Sequence, residues 1–168
     1  MSIDNEIQQH KWESFRQKAV VNTLFTCRAI ETAGAAMLKE HDLSMPQYNI
    51  LRILRGQKGK PASVKLLTER MLDKSSNASR LVDKLLEKNL VVRVTCPNDR
   101  RAVEVSLTPE GQAVLEKADA DNARWLPHPK VFSEADAKLL SDLLDRLREA
   151  IRTNHPDFAK NREQGDIP

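Results

Sequence analysis

Glycine and aromatic side chains are scarce in this chain of 168 residues: five Gly, and 4% Phe, Trp and Tyr together. That scarcity argues against a Gly-rich β-sandwich or barrel. Cysteine is equally thin. Cys27 and Cys96 lie far apart in neither a C-x-x-C nor a mixed Cys/His spacing, so no structural disulfide or zinc site is indicated. His10, His41, His128 and His155 also stand alone. Metal ligands come in close-spaced sets, so these four read as surface or capping residues, and no metal or cofactor is expected. The first residues, MSIDNEIQQHKWESF, hold no apolar run behind a basic start, and nowhere do about 18 apolar residues follow one another. The expectation is a soluble, cytoplasmic protein without a membrane partner. Enzymatic chemistry lacks material too: there is no phosphate-binding loop, no G-x-S-x-G and no metal-ligand set, and the carboxylates are scattered along solvent faces.

What the chain does have is Leu, Ala, Glu, Lys and Arg in helix-forming abundance, with 40% hydrophobic and 30% charged residues. Its length suits one domain with a real core. The net charge of +3 is unevenly spread. Residues 52–101 hold 13 Lys/Arg against 5 Asp/Glu, a net +8, whereas residues 1–51 come to −1 and residues 102–168 to −4. A basic middle between acidic ends is the electrostatic footprint of a polyanion-binding surface, though charge alone is equally compatible with a solvated lysine-rich face.

Periodicity decides between these. Residues 9–40 are free of proline and repeat apolar residues at helical spacing through Val20, Leu24, Cys27, Ile30 and Met37, which predicts one long helix with Cys27 in its packed face. Ser44, with Gln47 three residues on and Pro46 in the first turn, starts a second helix through Ile50, Leu51, Ile53 and Leu54. GQKGKPA breaks the pattern. SVKLLTERM, capped by Ser63, and SSNASRLVDKLLEKNL then make two short helices joined by a few residues around Leu72–Lys74, a helix-turn-helix candidate. On the second helix the apolar residues centre on Ala78 and Leu85, leaving Ser76, Asn77, Arg80 and Lys84 on the other side. After Leu90 the period changes from 3.6 to 2: VVRVT and AVEVSL are strands, and CPNDRR between them is their turn. Thr108 caps and Pro109 opens a helix running to about Trp125. Ser133 with Asp136 starts a last helix whose Leu139, Leu140, Leu143, Leu144, Leu147 and Ile151 form a broad apolar stripe, and residues 155–168 read as a polar tail.

A helix pair followed by a hairpin is a winged helix-turn-helix. The stretch from Asp99 to Gly111, D-x-R, five residues, L-T and then P-E-G, resembles the signature of the multiple-antibiotic-resistance regulator (MarR) family. Agreement runs from about Leu43 through MPQYNIL and SSNASRLVDKLLEKNLV to Gly111. The expected fold class is mainly α with a small β-hairpin wing. It comprises a winged helix-turn-helix lobe over residues 44–108, flanked by helices at 9–40 and 109–154 that form a dimerisation lobe. The resemblance implies a cytoplasmic homodimer on a pseudo-palindromic double-stranded DNA operator, usually repressing, and released by a small molecule or by oxidation. Relatives often take aromatic carboxylates, so a small aromatic effector is the implied ligand, though no residue cluster names it.

Candidate DNA contacts follow. Ser75, Ser76 and Asn77 at the helix start suit phosphate and base-edge hydrogen bonds, and Arg80 suits bidentate contact with guanine, with Lys84 beside it. The alternative for Arg80 and Lys84 is pairing with Asp83 and Glu87. By similarity to the family, Arg101 reaches the minor groove and Asp99 braces it; Arg100 is then a phosphate contact. Asp99 reads equally well as a plain turn former. Ser63, Lys65 and Lys60 are further phosphate candidates. The leucine stripe, with Trp12, Phe15 and Val20, either forms an isologous interface or packs back on its own chain. A rival reading of the whole is a winged-helix interaction module whose basic surface binds an acidic protein.

Overall fold

Ser14 sets where the first long helix begins. In the computed structural model, which describes residues 1–95, 103–125 and 132–154, a short helix α1 (Ile3–Glu6) is followed by non-helical chain and then by α2 (Phe15–Lys39). The helix predicted from Gln9 therefore starts six residues later. Ser14 is extended (φ −160°, ψ 159°) and its hydroxyl accepts the Gln17 N–H at 3.2 Å, while the Gln17 side chain accepts the Glu13 N–H at 3.2 Å. These are reciprocal bonds at a helix start, of the capping-box kind. Upstream, Asp4 accepts from Trp12 Nε1 and from Lys18 Nζ, both at 2.6 Å, which ties the first segment to the first turn of α2. Its carboxyl lies below the usual range, first because of the Lys18 hydrogen bond and then that from Trp12.

The chain divides into two units, 1–45 and 46–168. In the first, Gly34 and Leu38 of α2 are buried, and a Cβ at Gly34 would come within 2.9 Å of Met45 Sδ. Phe15, Val20, Leu24, Phe25 and Ile30 stand exposed. Cys27 is exposed as well, with its Sγ 3.8 Å from Glu31 Oε1, so the expectation that it packs in a core is corrected. Periodicity did place it in step with Leu24 and Ile30, but among the described residues those two are exposed as well.

The second unit carries nearly all of the core. Helix α3 (Met45–Gly56) crosses into it and buries Ile50, Leu51, Ile53 and Leu54. After Lys58 and Gly59, both at positive φ, comes a two-residue strand β1 (Ala62–Ser63) that the sequence did not announce. Ser63 then caps α4 (Val64–Arg70) by accepting from Leu66 N at 3.2 Å. Helix α5 (Ala78–Glu87) buries Ala78, Val82 and Leu85 and ends at Asn89, whose φ of 58° lets Leu90 N–H return to Leu85 O at 3.0 Å. This left-handed residue is a helix-ending device that Asn tolerates well. Strands β2 (Val91–Thr95) and β3 (Val103–Leu107) pair antiparallel from Val91↔Leu107 to Thr95↔Val103. With β1 on the other edge of β3, the sheet order is β1-β3-β2. Thr108 Oγ1 accepts the Gly111 N–H at 2.9 Å and donates to Asn89 O at 2.8 Å, which caps α6 (Pro109–Trp125) and fastens it to the end of α5. Ser133 and Asp136 exchange bonds as predicted to open α7 (Glu134–Asn154), no residue of which is buried. The architecture is thus mainly helical with a small antiparallel sheet, as the periodicity required.

Candidate nucleic-acid interface

The chemistry begins in the turn between α4 and α5, which packs as a helix pair against the sheet. Asp73 gathers it: its carboxylate accepts from Ser75 N (2.9 Å), Ser75 Oγ (2.7 Å) and Ser76 Oγ (2.6 Å). The Ser76 bond, then those of Ser75, hold the Asp73 carboxyl below its ordinary value. Lys74 Nζ donates to the Thr68 and Glu69 carbonyls at 3.0 and 2.6 Å, closing the end of α4. Such satisfied termini make the turn a defined object rather than a loose link.

These bonds decide what the predicted contacts can do. Each hydroxyl of Ser75 and Ser76 has one proton, and it is donated to Asp73, so toward any third group both serines act as acceptors. Asn77 caps α5 by accepting the Arg80 N–H at 3.0 Å, which leaves its amide NH₂ to donate outward. Ser63 is engaged as the α4 cap, and Lys65 and Lys60 are exposed near it. On α5, Arg80 and Lys84 are exposed and have no side-chain partner among the described residues. Pairing with Asp83 does not occur: Asp83 is held instead by Arg93 of β2, a contact between helix and ribbon that the sequence reading missed. Asp99, Arg100 and Arg101 lie outside the described residues, as do Cys96, His128 and His155. The strands that lead into and out of residues 96–102 are paired to their last residues.

A second missed cluster joins α3 to α6. Tyr48, Arg52 and Arg55, spaced i, i+4 and i+7 on one face of α3, converge on Asp119. Tyr48 Oη donates to Asp119 Oδ1 at 2.5 Å across 71 residues of sequence. Arg55 pairs with Asp119 Oδ2, and the Arg52 guanidinium lies 5.7 Å from the Tyr48 ring centroid. Burial pushes the Asp119 carboxyl up, but hydrogen bonds from Tyr48 and Arg55 outweigh it and bring the group below its ordinary value. The Tyr48 phenol is raised, by burial first and then by its bond to Asp119. The i, i+4, i+7 spacing was visible in the sequence; the acceptor was not.

Among the described residues no set of His, Cys, Asp or Glu is placed to hold a metal ion, and no helix is long and apolar enough to cross a membrane. A hollow of about 400 Å³ lies between the end of α3 and the start of α6, with Arg55, Lys58 and Lys60 on its wall.

Comparison with known proteins gives this surface its context. Residues 43–103 match the model of the MarR family. The chain is 29% identical over 119 residues to the HTH-type transcriptional regulator SarZ of Staphylococcus aureus, covering 70% of this chain and 75% of that one. It is 25% identical over 111 residues to the HTH-type transcriptional regulator MhqR of Bacillus subtilis, covering 66% and 75%. Among solved structures, the transcriptional regulator BldR from Sulfolobus solfataricus superposes with a TM-score of 0.62 at 27% identity, over 89% of this chain and 99% of that one. The fold is shared too with the organohalide-sensing regulator RdhR-CbdbA1625 in its 2,4-dichlorophenol-bound form, at a TM-score of 0.70 and 19% identity over 88% and 90% of the two chains. All four are transcriptional regulators.

Proposed function

We propose that the chain, whose residues 43–103 match the MarR family, is a DNA-binding transcriptional regulator of that family and acts in the cytoplasm as a homodimeric repressor on a pseudo-palindromic operator. The observation that carries this is the α5 face: Arg80 and Lys84 exposed and without side-chain partners among the described residues, within the basic third of the sequence and beside the β2–β3 ribbon. A helix with its apolar side buried and a free guanidinium outward fits the major groove, where Arg reads guanine O6 and N7. Asn77 adds an amide donor, and Ser75 and Ser76 act as acceptors for exocyclic amino groups rather than as phosphate donors. Lys65 and Ser63 stand toward the backbone of the same site. Arg101, braced by Asp99, enters the adjoining minor groove with Arg100 on a phosphate.

The homodimer is supported by what the single chain leaves uncovered. Leu139, Leu140, Leu143 and Ile151 of α7 are 58%, 45%, 47% and 38% exposed, and α2 shows a similar apolar face. A stripe of this width in water marks an interaction surface, and a two-fold contact between copies would cover it. In this reading the helices within 9–40 and 109–154 form the dimerisation lobe around a reading head at 44–108. A small aromatic molecule is the proposed releasing signal, by analogy with the dichlorophenol held by RdhR-CbdbA1625.

Selection of bound duplexes from a random pool tests the proposal. A recovered inverted repeat, with binding that falls steeply as salt rises, is the expected result. Recovery of no preferred sequence, together with tight binding to an acidic protein, would replace it with the interaction-module reading.

A further inference from the structure

We propose that Asp119 is a positioning residue: clamped by Tyr48 and Arg55, it fixes the direction of α6 against the reading head and so sets the spacing at which two DNA half-sites are recognised. The inference rests on the homodimer-and-operator reading above and adds to it what measures the distance between the two heads.

Helix α6 is attached to the reading head at two points. At its start, Thr108 bonds through its hydroxyl to Asn89 O and through its N–H to Leu90 O, the residues that link α5 to β2. Eleven residues later, Asp119 is gripped by α3 through the Tyr48 hydroxyl at 2.5 Å and the Arg55 guanidinium, with Arg52 Nη1 3.9 Å from the same carboxylate. Two anchors about 16 Å apart on a rod, at ~1.5 Å per residue, define its direction, whereas one would leave it free to swing. Beyond the second anchor the chain continues to α7, the helix whose leucines stand exposed.

An ion pair alone would be a weak clamp, because exposed pairs contribute little. This one differs. Tyr48 is only 7% exposed and the Asp119 side chain 24%, and a phenol donating to a carboxylate makes a short, directional, charge-assisted bond. The lever is long enough for such direction to matter: tilting a 17-residue rod of about 25 Å by ~10° moves its end ~4 Å, close to one base-pair rise. One base pair also turns a half-site by roughly 35° about the DNA axis, so a dimer with rigid arms tolerates little error in spacing.

The experiment uses the full chain and the half-site recovered by selection. Inverted pairs of that half-site are built with the spacer changed from −2 to +2 base pairs, beside a duplex carrying one half-site only. Wild type is expected to show a single sharp optimum, falling ~10-fold or more for one added or removed pair. Tyr48→Phe, which removes one oxygen, and Asp119→Asn should bind the single half-site within about 2-fold of wild type while their preference across the series flattens to about 3-fold. Two outcomes overturn the proposal on its own: folded variants that keep the sharp optimum, or variants that lose all duplexes equally, the single half-site included. If wild type itself shows no optimum, the homodimer-and-operator reading fails and this inference fails with it. Tyr48→Phe is the milder change and keeps the test decisive should Asp119→Asn not fold.

Discussion

Gly111→Ala is expected to destabilise the protein, the reverse of what this exchange does inside most helices. Gly111 is the third residue of α6, where replacing Gly by Ala ordinarily stabilises by about 1 kcal/mol. Here a Cβ would collide with the Leu90 carbonyl oxygen and stand 2.9 Å from both the Leu90 carbonyl carbon and Leu107 Cδ1. Leu107 is the end of a side chain and can turn away, but Leu90 is backbone held from both sides. Its carbonyl accepts Thr108 N–H at 3.2 Å, and its own N–H donates to Leu85 O at 3.0 Å. Overpacking of this kind costs about 1 to 3 kcal/mol, and pulling Leu90 O away from Thr108 about 1 more. Set against the propensity gain of about 1, the net loss is about 1 to 3 kcal/mol. For a chain of this length, with ~2 to 4 °C per kcal/mol, the melting temperature should fall by roughly 2 to 12 °C. Thermal melts followed by circular dichroism, at matched protein concentration because association would shift the midpoint, measure this directly. Gly56→Ala is the control: its Cβ would meet only Arg70 Nη2 at 3.8 Å, an ordinary contact, and its melt should stay within a few degrees of wild type. A Gly111→Ala melt at or above wild type would refute the claim that α6 is seated on Leu90.

Other consequences are open to measurement. Arg101→Ala should weaken binding to the preferred operator and to unrelated duplexes alike and lower the salt slope by ~1, or ~2 for both subunits; equal affinity for both duplexes before and after the change would show that the wing tip does not touch DNA. Arg80→Ala should cost ~1 to 3 kcal/mol per half-site on the preferred operator and far less on random DNA, which titrations of both duplexes at several salt concentrations distinguish. Removing residues 133–168 takes away α7 and its exposed leucines, so light scattering should report a monomer; a truncated chain that stays dimeric places the interface elsewhere. Asp119 titrates below its ordinary 3.8 in the folded protein, so its contribution to stability is present above that value and disappears as pH falls through the lowered one. Wild type should therefore lose more stability than Asp119→Asn between pH 5 and strongly acid solution, and parallel denaturation curves for the two would contradict the assignment.

Several elements are legible in the sequence because their causes are local. Ser63, Thr108 with Pro109, and Ser133 with Asp136 start their helices where capping chemistry says they must, and the change of period after Leu90 marks the two strands. The apolar centre of α5 on Ala78 and Leu85 is likewise a property of spacing alone. Strand β1 escaped because two residues carry no period; it exists only through its pairing with Val105 and Glu104. The delayed start of α2 is set by the local cap at Ser14, whereas the tie of Asp4 to Trp12 and Lys18, eight and fourteen residues away, carries no local signal. Cys27 shows the limit of periodicity most clearly: the repeat says which residues share a helix face but not whether that face is buried, and among the described residues Leu24, Cys27 and Ile30 are all exposed.

The sequence by itself determined the helices, the hairpin, the basic middle third and the family signature, because short-range hydrogen bonding, side-chain spacing and charge are written in consecutive residues. Tertiary structure alone decided which donors meet which acceptors. It gave Asp83 to Arg93 rather than to Arg80, and brought Tyr48 to Asp119 across 71 residues. A side chain has few protons to donate and a carboxylate few lone pairs to offer, so each such choice removes a chemical option that composition and spacing leave open.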